Sequence, residues 1–84
     1  MRTVAGMRRD DTLALVRMRA ACVSGSAREA RIAARLTQAE VASTCRVSPK
    51  TVALWETGQR VPAGAPALEY ARLLRDLDRM AMTA

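Results

Sequence analysis

The chain has 84 residues, which is enough for one small domain with a modest core and marginal stability. Half of the residues are apolar, but aromatic residues are nearly absent, with one Trp, one Tyr and no Phe. A core built from Ala, Leu, Val and Met favours closely packed helices, and alternating runs of the strand type are missing. The composition therefore predicts an all-α fold. No apolar run approaches the roughly eighteen residues of a membrane span.

The net charge is +6, and every basic side chain except Lys50 is an arginine. Guanidinium groups suit contacts to phosphates and base edges, but an Arg-rich coding bias with a solvated surface gives the same composition. With no His and only Cys22 and Cys45, the sequence offers no four-ligand zinc site, no disulfide framework and no His general base. We therefore expect no metal, no cofactor and no enzymatic activity, and free buried thiols in a reducing cytoplasm.

The first ten residues are predicted to form a flexible basic arm that carries Arg2, Arg8 and Arg9, ahead of a single domain over 11–84. They contain charge but lack the apolar stretch of a signal peptide, which favours a cytoplasmic protein. The sequence contains no internal repeat and no low-complexity tract.

The first helix is predicted over about 11–23, and Gly25 would close it in a left-handed cap. It carries an apolar stripe at helical spacing, formed by Leu13, Val16, Ala20 and Val23. We expect this stripe to complete the core, with a dimer surface as the alternative.

Two further helices flank the centre of the chain. One is predicted to begin with a capping box between Ser26 and Glu29 and to end near Arg35. Its apolar surface is expected to comprise Ala30, Ile32, Ala33 and Ala34. The last helix is predicted from Pro66 to about Met80, with apolar positions at Ala67, Tyr70, Ala71, Leu74 and Leu77.

The most informative segment is 37–58, in which two helix-start signals are set eleven residues apart. Thr37 and Glu40 form a capping box, in which each side chain satisfies the backbone N–H of the other residue. Ser48 followed by Pro49 is the second signal, a hydroxyl N-cap with proline at the first helical position.

These signals predict short helices over 38–45 and 49–57, separated by a turn at 46–48. Helices so short, with so few residues between them, must cross at a steep angle. This is the geometry of a helix-turn-helix, whose second helix is offered to the major groove of DNA. The positions predicted to face inward are Val41, Cys45, Val47, Val52 and Trp55. Trp55 can alternatively stack on bases, but its phase on the helix favours the core.

The candidate base readers lie at the start of the second helix: Ser48, Pro49, Lys50 and Thr51, with Leu54 one turn on. Lys50 can donate to guanine O6 or N7, Thr51 can bond a base edge or a phosphate, and Leu54 can contact a thymine methyl. The alternative for Lys50 and Thr51 is an ordinary solvated helix start. Leu54 can equally pack against the protein or a partner.

The candidate phosphate contacts lie around these base readers. Gln38 begins the preceding helix beside Thr37, where free N–H groups and the helix dipole favour a phosphate. Arg60 follows the second helix and is placed to take a flanking phosphate. Arg46 in the turn can do the same or remain in solvent.

The stretches ARLTQAEVA, VSPKTV, WETGQRVP and ALEYARLL resemble the lambda-repressor-like, or Xre/Cro, helix-turn-helix family over about residues 27–77. The resemblance implies a five-helix DNA-binding domain that acts as a transcriptional regulator. It also implies that Gln38, Ser48, Lys50 and Thr51 lie at the DNA surface.

The resemblance further implies a partly buried ion pair between Arg31 and Glu56, which would make both residues scaffold. The sequence departs from the family in two places. Arg46 stands where the family usually has Gly, which implies strain of about 1 kcal/mol or an altered turn. The helix over 11–23 is an addition to the minimal family unit.

The leading hypothesis is a sequence-specific, double-stranded DNA-binding regulator of the phage-type Cro or repressor class. It would bind its operator as a homodimer, with a monomer as the alternative, in the nucleoid of a bacterial or phage-infected cell. The rival interpretations are an antitoxin with a toxin partner, and a protein-interaction module that has kept the fold without DNA binding.

Overall fold

The computed structural model describes residues 7–83, and within that range it contains five α-helices and no β-strand. The helices are α1 (Arg9–Ser24), α2 (Ser26–Ala33), α3 (Gln38–Cys45), α4 (Pro49–Glu56) and α5 (Gly64–Thr83). The predicted all-α fold is therefore confirmed. No helix in the described range is long and apolar enough to cross a membrane. The first six residues of the predicted arm, including Arg2, lie outside the described residues.

Helix α1 begins earlier than predicted. The sequence predicts that Arg9 and Asp10 lie in a flexible arm, but both belong to the first turn of the helix, and Arg8 is the extended residue that precedes it. Asp11 is buried and accepts hydrogen bonds from Nε and Nη2 of Arg72 on α5, at 3.3 and 3.1 Å. This ion pair joins the first turn of α1 to α5.

The predicted apolar stripe of α1 does not enter the core. Leu13, Val16 and Val23 are 46%, 59% and 82% exposed, and Ala20 is exposed as well. The helix does complete the core, but through the adjacent stripe, and it packs mainly against α5. The buried residues of that stripe are Asp11, Ala14, Met18 and Cys22. Asp11 is compatible with burial because Arg72 neutralises it.

Helix α5 supplies the floor of the core, and Ala67, Tyr70, Ala71 and Leu74 are buried as predicted. Four of the five inward positions of the helix-turn-helix are also buried, and Val47 is partly buried against them. The ring of Trp55 lies 4.8 Å from that of Tyr70 and is tilted by 31°. Trp55 is therefore a core residue, and the base-stacking alternative is wrong.

Of the three helix N-caps predicted for α2, α3 and α4, those of α3 and α4 are present and that of α2 is not. Thr37 Oγ1 accepts from the Glu40 N–H, and the Thr37 N–H donates to Glu40 Oε1 at 2.8 Å, so the capping box is present. Ser48 caps α4 by accepting from the Thr51 N–H, with Pro49 at the first position.

The predicted capping box at the start of α2 is wrong, since Ser26 belongs to the helix and its N–H donates to Ser24 Oγ. The chain turns instead at Gly25, whose φ of 92° is left-handed as expected. The predicted apolar surface of α2 is also wrong in part. Ala30 packs against the core, but Ala27 is the buried residue, and Ile32, Ala33 and Ala34 are exposed.

Two arginines adopt the left-handed conformation that favours glycine. Arg46 ends α3 with φ 61° and ψ 44°, and Arg35 follows α2 with φ 59°. The turn at Arg46 therefore keeps the left-handed geometry that glycine usually adopts. The backbone of Arg46 is strained as a result, at a cost of about 1–2 kcal/mol for an L-residue.

We expect Arg46→Gly to raise the free energy of unfolding by about 0.5–1 kcal/mol, because relieved strain exceeds the entropy that glycine adds to the unfolded chain. Urea unfolding measures the change, and Arg35→Gly should behave alike. The control is Arg17→Gly in the middle of α1, which should cost about 1 kcal/mol. A loss of stability in Arg46→Gly would contradict the strain.

The Arg72 hydrogen bonds hold the pKa of Asp11 below its ordinary value of 3.8, and Arg75 adds to the effect. A lowered folded-state pKa means that the ion pair contributes stability above pH 3.8 and loses it as the pH falls through the folded pKa. We expect Asp11→Asn to be less stable than wild type at pH 7 and to converge with it near pH 2. Asp10→Asn, which keeps the buried pair, is the control. Urea unfolding from pH 2 to 7 measures this. A difference in unfolding free energy between Asp11→Asn and wild type that stayed constant with pH would contradict the prediction.

Candidate nucleic-acid interface

The buried carboxylate of Glu56 joins three helices behind the candidate interface. Arg31 on α2 donates to it through Nε and Nη2, the latter at 3.1 Å, and Gln38 on α3 donates through Nε2 at 3.1 Å. Arg31 also donates through Nη1 to the Leu36 carbonyl at 2.8 Å. The Arg31 side chain is 12% exposed and that of Glu56 1%. The two charges therefore neutralise each other out of solvent, and Glu56 raises the pKa of Arg31.

The contact from Gln38 to Glu56 was missed by the sequence analysis. This contact uses one amide N–H of Gln38, so that hydrogen is not free for the phosphate contact that the sequence predicts. Gln38 is the first residue of α3, so its backbone N–H lies at a helix N-terminus, where anions bind favourably. The consequence is that the start of α3 is tied to the last residue of α4.

The first turn of α4 presents an exposed polar surface. Ser48 Oγ and Thr51 Oγ1 lie 3.0 Å apart, and this hydroxyl pair caps the helix. Pro49 and Lys50 are exposed, and Lys50 makes no side-chain hydrogen bond or ion pair within residues 7–83. Leu54 is half-buried one turn further along, so both alternatives for it stay open.

The loop after α4 is held by hydrogen bonds to one backbone carbonyl. The Leu54 carbonyl accepts from the N–H of Gln59 at 3.0 Å and of Arg60 at 3.2 Å. Gly58 adopts a φ of 76° to allow this turn. The Arg60 side chain is exposed, and so is that of Arg46 in the turn before α4.

The exposed charges of the segment around α4 have one sign. Between residues 41 and 68 the only acidic residue is Glu56, which is buried and paired. The remaining charged residues of that stretch are Arg46, Lys50 and Arg60, all exposed. Three exposed cations in this segment favour a positive potential that attracts a polyanion.

Possible metal ligands and the cysteine thiols can be placed within residues 7–83. No group of His, Cys, Asp or Glu in that part of the chain is arranged to hold a metal ion. Both cysteines are buried and free, and burial raises the pKa of Cys45 to about 11, so its thiol stays protonated.

Comparison with known proteins agrees with this arrangement. A sequence model of a helix-turn-helix family matches residues 28–78, more than half of the chain, including all of α3 and α4. No curated protein and no solved structure matches the chain.

We expect Arg31→Met to destabilise the fold by about 3–5 kcal/mol, because it leaves the carboxylate of Glu56 buried without its charged partner. The double variant Arg31→Met/Glu56→Leu removes both charges and should recover much of that loss. Urea unfolding of the two variants measures the difference. A double variant less stable than Arg31→Met would contradict the stranded-charge explanation.

Proposed function

Because the chain belongs to the Xre/lambda-repressor-like helix-turn-helix family of DNA-binding regulators, we propose that it is a sequence-specific regulator that inserts α4 into the major groove of double-stranded DNA. The observation that carries the proposal is the charge distribution around α4. Arg46, Lys50 and Arg60 are exposed on the segment that forms the turn, the helix and the following loop, while its one carboxylate is buried. Such a surface favours the phosphate backbone.

Within this proposal, the exposed start of α4 reads the bases. Lys50 has no partner among the described residues and donates to guanine O6 or N7. The hydroxyls of Ser48 and Thr51 exchange their mutual hydrogen bond for a base edge or a phosphate. Pro49 fits against the groove, and Leu54 contacts a thymine methyl.

The phosphate contacts flank this helix and fix its register on the duplex. The start of α3, with Thr37 and Gln38, binds one phosphate through its helix N-terminus. The Thr37 hydroxyl is used in the capping box, so this contact relies on backbone N–H groups and Gln38. Arg46 and Arg60 bind phosphates on either side.

We further propose that the protein is a Cro- or repressor-like regulator of the phage type that binds a two-fold operator as a homodimer, with a monomer as the alternative. The exposed apolar stripe of α1 is available for such a contact between copies.

A protein partner is the second candidate, as in an antitoxin bound to its toxin or an interaction module on this fold. The observation that favours it is a groove of about 450 Å³ between α1, α2 and α5. Its lining includes Leu13, Met18 and Met82, and none of its lining residues lies within 37–58. The two functions would therefore use different surfaces.

Selection of bound duplexes from a random-sequence pool, followed by binding measured against salt concentration, tests the proposal. A DNA-binding regulator should enrich one motif, and with about five neutralised phosphates its log K should fall with a slope near −4.5 against log salt. A protein-interaction module would enrich no motif and show no such slope.

We expect Lys50→Ala to weaken binding to the selected duplex by about 1–3 kcal/mol and to relax the preference at one base pair, because it removes a base contact. Arg60→Ala removes a phosphate contact instead. It should weaken all duplexes alike and reduce the salt slope by about 1. Competition binding against single-base variants of the motif separates the two. Equal weakening of all duplexes by Lys50→Ala would show that Lys50 contacts the DNA phosphates and not a base.

A further inference from the structure

Arg19, on the exposed side of α1, reaches the loop that follows α4. Its Nε and Nη2 both donate to the backbone carbonyl oxygen of Pro62, at 3.3 and 3.2 Å. The contact joins residues 43 positions apart in the chain. Arg19 lies outside the segment 28–78 that matches the helix-turn-helix family, so this contact belongs to the added helix.

The loop between α4 and α5 is thereby held at both ends. At its start, the N–H groups of Gln59 and Arg60 donate to the Leu54 carbonyl at the end of α4. At its other end the ring of Pro62 is buried and its carbonyl is occupied by Arg19. Between these anchors Arg60 and Val61 are exposed, and the Arg60 guanidinium has no hydrogen bond or ion pair within the described range.

We propose that Arg19 is a positioning residue for DNA binding, which holds this loop so that Arg60 meets the phosphate flanking the α4 site. The inference rests on the proposed function. Arg19 acts through Pro62, since the planar guanidinium directs two of its donors at one carbonyl. A loop that is already ordered before binding loses less conformational entropy when Arg60 engages the phosphate.

Arg19→Met tests this, with Arg17→Met as the matched control. Arg17 lies on the same helix, is exposed and makes no hydrogen bond or ion pair within residues 7–83, so both variants lose one charge. On the selected duplex we expect Arg19→Met to bind about tenfold more weakly than Arg17→Met. Its salt slope should be smaller by about 1, because the Arg60 contact is lost. Arg19, like Arg17, is an exposed residue, so urea unfolding should differ little between the two variants.

A double-variant cycle with Arg60 separates positioning from a general structural effect. In the Arg60→Ala background, Arg19→Met should cause no further loss of affinity. With Arg60 present, Arg19→Lys should bind more tightly than Arg19→Met, because the lysine can still donate to the Pro62 carbonyl. Equal binding by Arg19→Met and Arg17→Met, or losses that add to those of Arg60→Ala, would overturn the role of Arg19 alone. A wild-type protein that enriches no duplex would overturn the proposed function, and this inference with it.

Discussion

The buried carboxylate of Glu56 is the constraint on which the rest of the candidate interface depends. It is the last residue of α4, and it accepts hydrogen bonds from Arg31 on α2 and Gln38 at the start of α3. The turn between α3 and α4 fixes only how the two helices follow each other. The Glu56 contacts tie the end of α4 to Arg31 on α2 and to the start of α3, because a carboxylate out of solvent must keep its partner. These buried contacts therefore help to set the relative position of α3 and α4, whose starts are the proposed DNA-binding surface.

Helix α1 also contacts the loop that follows α4. Asp11 in its first turn is paired with Arg72 on α5, and Arg19, two turns later, holds the Pro62 carbonyl. The added helix is thus fixed at one end to the core helix and near the other to the loop that carries Arg60. The apolar stripe of α1, with Leu13, Val16 and Val23, remains exposed.

Local signals made most of the fold predictable. The starts of α3 and α4 were readable because Thr37 with Glu40, and Ser48 with Pro49, satisfy backbone groups within one turn. The face of α1 was not. Two stripes of α1 have helical spacing, and hydrophobicity favours the stripe with Leu13 and Val16. The stripe that is buried includes Asp11, whose partner Arg72 is 61 positions away. The same limit hid the contacts of Gln38 and Arg19, since no local pattern shows which distant carboxylate or carbonyl a polar side chain reaches. The Arg31–Glu56 pair was expected only through the family resemblance.

The most direct test of the central claim is the change in backbone amide NMR signals of the ¹⁵N-labelled protein when the selected duplex is added. The account predicts the largest changes at Gln38, at the start of α4 from Ser48 to Thr51, and at Arg60, with little change along the exposed stripe of α1. Changes centred on that stripe and on the groove beside α5, with the start of α4 unaffected, would contradict it.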